Sequence, residues 1–140
     1  MLWFESFAFC MLGWPVEPRR LGQIYCYNRE SRIYVCDLKA SELRLRSISP
    51  SGGFVAHRAA CFAPNGKSLA LLETRNRDAH NSTSRLVVAS QLTNESPELR
   101  VVVDVVDEPS SDQEFPGLYC GSLPQRAFLN DDEILLSTIW

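Results

Sequence analysis

Serines are plentiful in this chain, and two histidines, His57 and His80, accompany them. Acyl transfer through an activated serine is therefore the first chemistry to weigh. A nucleophile elbow needs Gly-x-Ser-x-Gly on a strand-to-helix turn. The nearest pieces, Gly121-Ser122 and Gly66-Lys67-Ser68, both lack the second glycine. Serine, histidine and acid make a triad only in the right geometry, so no catalytic residue is assigned. Gly66-Lys67-Ser68 also imitates the end of a phosphate loop. That motif needs a glycine where this chain has Cys61, and a helix where it has the apolar run Leu69-Ala70-Leu71-Leu72.

Metal chemistry fares no better. Asp104, Asp107, Glu108, Asp112 and Glu114 do not fit EF-hand spacing and read as a solvated loop. Neither histidine stands in zinc-ligand spacing with Cys10, Cys26, Cys36, Cys61 or Cys120. No metal or other cofactor site is expected. An odd cysteine count, wide spacing and no CxxC point to reduced, mostly buried thiols rather than a Cys26–Cys36 disulfide. With a net charge of −3 and scattered basic pairs, a nucleic-acid surface is not expected. Trp14, Tyr25, Tyr27 and Tyr34 read as core aromatics rather than base-stacking platforms.

The elements that carry these residues read as strands. Apolar residues come in runs of four to eight divided by turn chemistry, and helical periodicity is nearly absent. The most informative unit is Cys61 to Leu72, in which a short apolar strand, a Pro64-Asn65-Gly66-Lys67 turn and a returning apolar strand form a hairpin. A weaker copy runs Ala127-Phe128-Leu129, Asn130 to Glu133, then Ile134 to Trp140. Other strands are expected at Phe4–Gly13, Ile24–Tyr27, Arg32–Leu38, Leu43–Ile48, Ser84–Ser90 and Leu99–Val106. The last of these is rich in β-branched valine.

This order predicts an all-β fold, a partial β-propeller of about two to three antiparallel four-stranded blades in an incomplete ring. Residues 1–48 would end one blade, 54–106 form a full blade and 118–140 begin the next. Blades run ~40–45 residues and rings hold ~4–8 of them. Blades pack face to face, so runs such as Val101-Val102-Val103 are expected to bury both faces. An end blade without a neighbour would leave apolar area in water at ~25 cal/mol per Å², against a domain stability of ~5–15 kcal/mol. Alone, the chain is expected to be marginal or aggregation-prone.

The apolar N-terminus, Met1 to Val16, lacks a basic leader, contains Glu5 and is short for a membrane span. A strand and a cytoplasmic protein are the expectation. The sequons at Asn81 and Asn94 are then chance matches.

Two segments resemble the acylaminoacyl-peptide hydrolase family. One runs from Trp14-Pro15-Val16-Glu17-Pro18 to Ile33-Tyr34-Val35-Cys36-Asp37-Leu38; the other joins Val101 to Val106 with Phe115-Pro116-Gly117-Leu118-Tyr119-Cys120-Gly121-Ser122-Leu123-Pro124. The likeness extends from Phe7 to Trp140. It implies a parent of the prolyl oligopeptidase class, with an N-terminal propeller and a C-terminal α/β-hydrolase domain carrying a Ser-Asp-His triad. Such enzymes release N-acylated residues from short peptides, the propeller limiting access, and are typically cytoplasmic and homo-oligomeric. This chain matches the propeller part only, so no catalytic residue carries over, and by itself it is expected to be inactive. Arg19 and Arg20 lie in a matching segment; a cavity-facing arginine there competes with a surface one. The other readings are a stand-alone interaction module built on a propeller and an incomplete version of a longer gene.

Overall fold

The computed structural model describes residues 8–13, 30–37, 45–50, 52–75 and 82–138. Those residues form no helix and seven strands: β1 (Ala8–Gly13), β2 (Arg32–Asp37), β3 (Leu45–Ile48), β4 (Phe54–Phe62), β5 (Leu69–Arg75), β6 (Arg85–Ser90) and β7 (Glu98–Val103). They make two antiparallel meanders, β1-β2-β3 and β4-β5-β6-β7. The fold is the all-β partial propeller that the runs and turns predict, two blade-like sheets that do not close a ring. The expected strand Ile24–Tyr27 and the Arg19-Arg20 loop lie outside the described residues.

The two central strands of the second sheet, β5 and β6, are buried on both faces. Side chains alternate along a strand, so Leu69 and Leu71 share one face of β5 while Ala70 and Leu72 share the other. The first pair packs with Val87 and Ala89 of β6 against Ile33, Val35 and Ile48 of the first sheet. The second pair packs with Leu86 against Leu118 and Cys120, flanked by Phe128, Ile134 and Leu136. A strand between two apolar layers has no polar face, which is why Leu69 to Leu72 reads as an unbroken hydrophobic run.

The Pro64–Lys67 turn forms as its sequence predicts. Gly66 has φ +67°, its N–H donates to the Ala63 carbonyl at 2.9 Å, and the Ala63 N–H donates to the Ser68 carbonyl at 2.9 Å. The Asn65 side chain accepts the Lys67 N–H at 2.7 Å. In the weaker copy, Asn130 Oδ1 accepts the N–H groups of Asp132 and Glu133, both at 2.9 Å. Phe128 and Ile134 are joined by a single bridge rather than a ladder. The two turns touch: the Asn65 N–H donates to Asp131 Oδ1 at 3.0 Å.

Three expectations need correction. The strand expected over Leu99–Val106 is Glu98–Val103, and residues 104–106 lie outside it. The strand before the first turn begins at Phe54, well before Cys61, because it continues through an irregularity between Arg58 and Cys61 where Ala59 takes φ +54°. The valines of β7 are not buried on both faces. β7 is the last strand of its sheet, and Val101 and Val102 are 43% and 42% exposed. β-branched residues favour an edge strand as readily as a central one, so composition alone did not distinguish them.

Past β7 the chain turns back under the sheet at Gly117, with φ +109°. A Cβ there would stand 2.5 Å from Thr83 Cγ2. Gly121 has open space around it. Gly117→Ala is expected to destabilise the chain by about 1–3 kcal/mol, and Gly121→Ala to stay within about 0.5 kcal/mol. Urea midpoints of the two variants against the parent chain check this contrast.

Candidate functional site

The densest group of chemistry-bearing side chains is a row across the second sheet. In the ladder register His57 of β4 pairs with Glu73 of β5, and Glu73 pairs with Arg85 of β6. Directly opposed residues project to one face, so imidazole, carboxylate and guanidinium meet side by side. His57 Nε2 lies 2.6 Å from Glu73 Oε1. Arg85 Nε donates to Glu73 Oε2 at 2.5 Å. A carboxylate only accepts, which places a proton on Nε2 of the histidine. The Arg85 guanidinium also lies over the Phe54 ring, 3.6 Å from its centroid, a cation–π contact.

The row stands where the two sheets are sewn together. The Ser31 N–H donates to the Val55 carbonyl at 3.1 Å, and the His57 N–H donates to the Ser31 carbonyl at 3.2 Å. Ser31 Oγ donates to the His57 carbonyl at 2.7 Å. Beside it, Arg58 donates to Ser84 Oγ at 2.6 Å, and the Ser84 N–H donates to the Leu118 carbonyl at 2.9 Å.

This geometry does not perform nucleophilic catalysis. In a triad the histidine nitrogen remote from the acid faces a serine hydroxyl. His57 Nδ1 has no hydrogen-bond partner among the described residues. The nearby hydroxyls are otherwise engaged, Ser31 Oγ with a backbone carbonyl and Ser84 Oγ with Arg58. His57 and Glu73 are both 0% exposed, so no substrate reaches them. What the arrangement does is hold a buried ion pair and fix the register of three strands against the first sheet.

The other candidates are dispersed. Ser122 and Lys67 are apart from this row on exposed or half-exposed turns. In the acidic loop Asp107 pairs with Arg75, whose Nη1 donates to Oδ2 at 3.2 Å and whose Nη2 donates to Oδ1. That hydrogen bond holds the Asp107 carboxyl below its ordinary value. No group of three or more metal-ligating side chains occurs among the described residues. Cys10, Cys36, Cys61 and Cys120 are free thiols. His80, Arg19, Arg20, Trp14, Tyr25, Tyr27 and Cys26 lie outside the described residues.

Sequence reasoning weighed His57 only as a base or a ligand and passed over Glu73 and Arg85. The available signal was an ionisable residue set into each of three apolar runs, around Ala56-His57-Arg58, Leu72-Glu73-Thr74 and Arg85-Leu86-Val87. A charge in such a place needs a buried partner.

Comparison with known proteins completes the site's context. The family described as "Acylamino-acid-releasing enzyme, N-terminal domain" matches residues 5–140. Acylamino-acid-releasing enzyme 1 of Oryza sativa subsp. japonica is 30% identical over 91% of this chain and 19% of its own length. The acylamino-acid-releasing enzymes of Rattus norvegicus and Homo sapiens are each 30% identical over 87% of this chain and 16% of their own lengths. The chain thus spans under a fifth of the length of the curated relatives it matches.

Two outcomes follow from these contacts. Glu73→Ala leaves the Arg85 charge buried without its carboxylate and His57 Nε2 without an acceptor; a cost of about 3–5 kcal/mol is expected, with Glu73→Gln milder because it keeps an acceptor. Urea denaturation followed by circular dichroism measures both. Burial pushes the Cys10 and Cys120 thiols up, with Arg58 partly offsetting the effect at Cys120. A raised value means less thiolate at a given pH. Iodoacetamide is therefore expected to label both more slowly than free cysteine at about pH 8 and to catch up in urea, as read by peptide mass mapping.

Proposed function

The chain belongs to the acylamino-acid-releasing enzyme N-terminal domain family, and on that premise we propose that it is the propeller scaffold of a serine-type acylaminoacyl-peptidase of the prolyl oligopeptidase class. The enzyme releases N-acylated amino acids from short peptides. Its nucleophile, histidine base and oxyanion hole reside in an α/β-hydrolase domain outside this chain. The propeller narrows the approach so that short acylated peptides enter and folded chains do not. The setting proposed for it is the cytoplasm, as for the family it resembles.

The observation that carries this reading is the family match over residues 5–140. The structural use of His57, Glu73 and Arg85, locked to one another with the imidazole and carboxylate fully buried, supports a role in support rather than in chemistry.

The purified chain is expected to leave an acetyl-alanine chromogenic amide unhydrolysed; turnover that follows the chain through stringent purification would refute the non-catalytic assignment. In the full-length enzyme, loosening this blade with Glu73→Ala is expected to raise kcat/KM for long acylated peptides relative to short ones. An unchanged ratio in a folded variant would remove the gating role.

A further inference from the structure

We propose that two copies of this chain associate through the outer edge of β7, antiparallel, about a two-fold axis at Val102. No described strand pairs with that edge, and Val101 and Val102 lie open on it. The inference does not depend on the catalytic reading. It rests on the edge and on its sequence.

Leu99-Arg100-Val101-Val102-Val103-Asp104-Val105 reads alike from both ends: apolar, charged, three valines, the opposite charge, apolar. Antiparallel pairing centred on Val102 sets that residue against its own copy and Val101 against Val103. It sets Arg100 against Asp104 on both sides of the axis, and Leu99 against Val105, with Asp104 and Val105 prolonging β7 beyond its last residue, Val103. A two-fold interface requires a patch that complements itself, and this segment does so in shape and in charge. Opposite charges across a strand pair stabilise it and like charges destabilise it. Arg100 and Asp104 are both exposed. Asp104 Oδ1 accepts only the N–H of its neighbour Val105, at 2.8 Å, and Arg100 makes no ion pair among the described residues.

The charges also select the register. An axis at Val101 would bring Glu98 opposite Asp104, like against like. An axis at Leu99 would run Val101 against Pro97, which has no N–H to give. Val102 stands at an irregularity of the β6–β7 ladder: Leu86 faces Val103 and Val87 faces Val101, leaving Val102 without a partner on β6. Irregular edges discourage indiscriminate strand addition. A complementary copy of the same segment is the strand best matched to this one.

Sedimentation velocity of the 140-residue chain tests the proposal, with circular dichroism confirming that each variant is folded. The parent chain is expected to form a dimer that dissociates on dilution. Arg100→Asp or Asp104→Arg alone is expected to weaken association by roughly tenfold or more, and the double reversal to restore it. A parent chain that stays monomeric, single reversals without effect, or a double reversal that fails to recover would each overturn the proposal. A second readout is covalent. Opposed residues of an antiparallel pair have Cα atoms ~4.5–5.5 Å apart, within disulfide reach. Val102→Cys is expected to cross-link to its copy under mild oxidation, while Glu98→Cys is not. Absence of the first cross-link, or equal cross-linking of both, overturns the axis.

Discussion

The structure depends on strand β5 being buried on both faces. Leu69 and Leu71 need the first sheet on one side, and Ala70 and Leu72 need Leu118 and Cys120 on the other. Neither layer alone would complete the core. The path of the chain follows from this. β1 to β3 must be in place on one side, and the segment after β7 must fold back under the sheet on the other. That return runs through Gly117, held in a conformation with φ +109° where a Cβ would meet Thr83, and through the Ser84–Leu118 bridge. Burial at ~25 cal/mol per Å² of apolar surface is non-directional. It holds these layers together without saying how they are registered.

Register comes from the polar row. Glu73 sits on the same face as Leu69 and Leu71, at the end nearest Ser31, and binds His57 on one neighbour and Arg85 on the other. A slip of one residue would turn Glu73 into the opposite apolar layer and leave a charge unpaired. Buried ion pairs contribute little net stability compared with apolar substitutes; here the cost of mispairing makes the row a register lock. The three backbone and side-chain hydrogen bonds between Ser31 and the Val55–His57 segment extend that lock to the first sheet. Residue types that suggest an active site are thus spent on assembling blades.

The repeat turns and the open edge divide the remaining tasks. The contact of Asn65 with Asp131 joins the Pro64–Lys67 turn to its weaker copy, so the two copies of the motif touch. β7 faces outward instead, with valines that a buried strand would have hidden. The chain belongs to a family named for an acylamino-acid-releasing activity, and within it these contacts are structural.

Much of the fold was legible in the residues. Runs of apolar residues divided by Pro, Gly and Asn gave the strand order from Arg32 onward within a residue or two at most ends. The Pro64-Asn65-Gly66-Lys67 turn was fixed by local chemistry, since glycine takes the positive φ at Gly66 without steric cost and Asn65 caps its own turn. The absence of a nucleophile elbow and of ligand spacing was also a property of the linear sequence. Tertiary structure decided which apolar strand is central and which is an edge, because Leu69–Leu72 and Val101–Val103 carry the same signal and differ only in their neighbours. It also decided that His57, Glu73 and Arg85 form one row, since their contact is created by cross-strand register. Local patterns are set by torsion preferences between neighbouring residues; burial and charge pairing are set by residues far apart in the chain, and only the folded sheets bring those together.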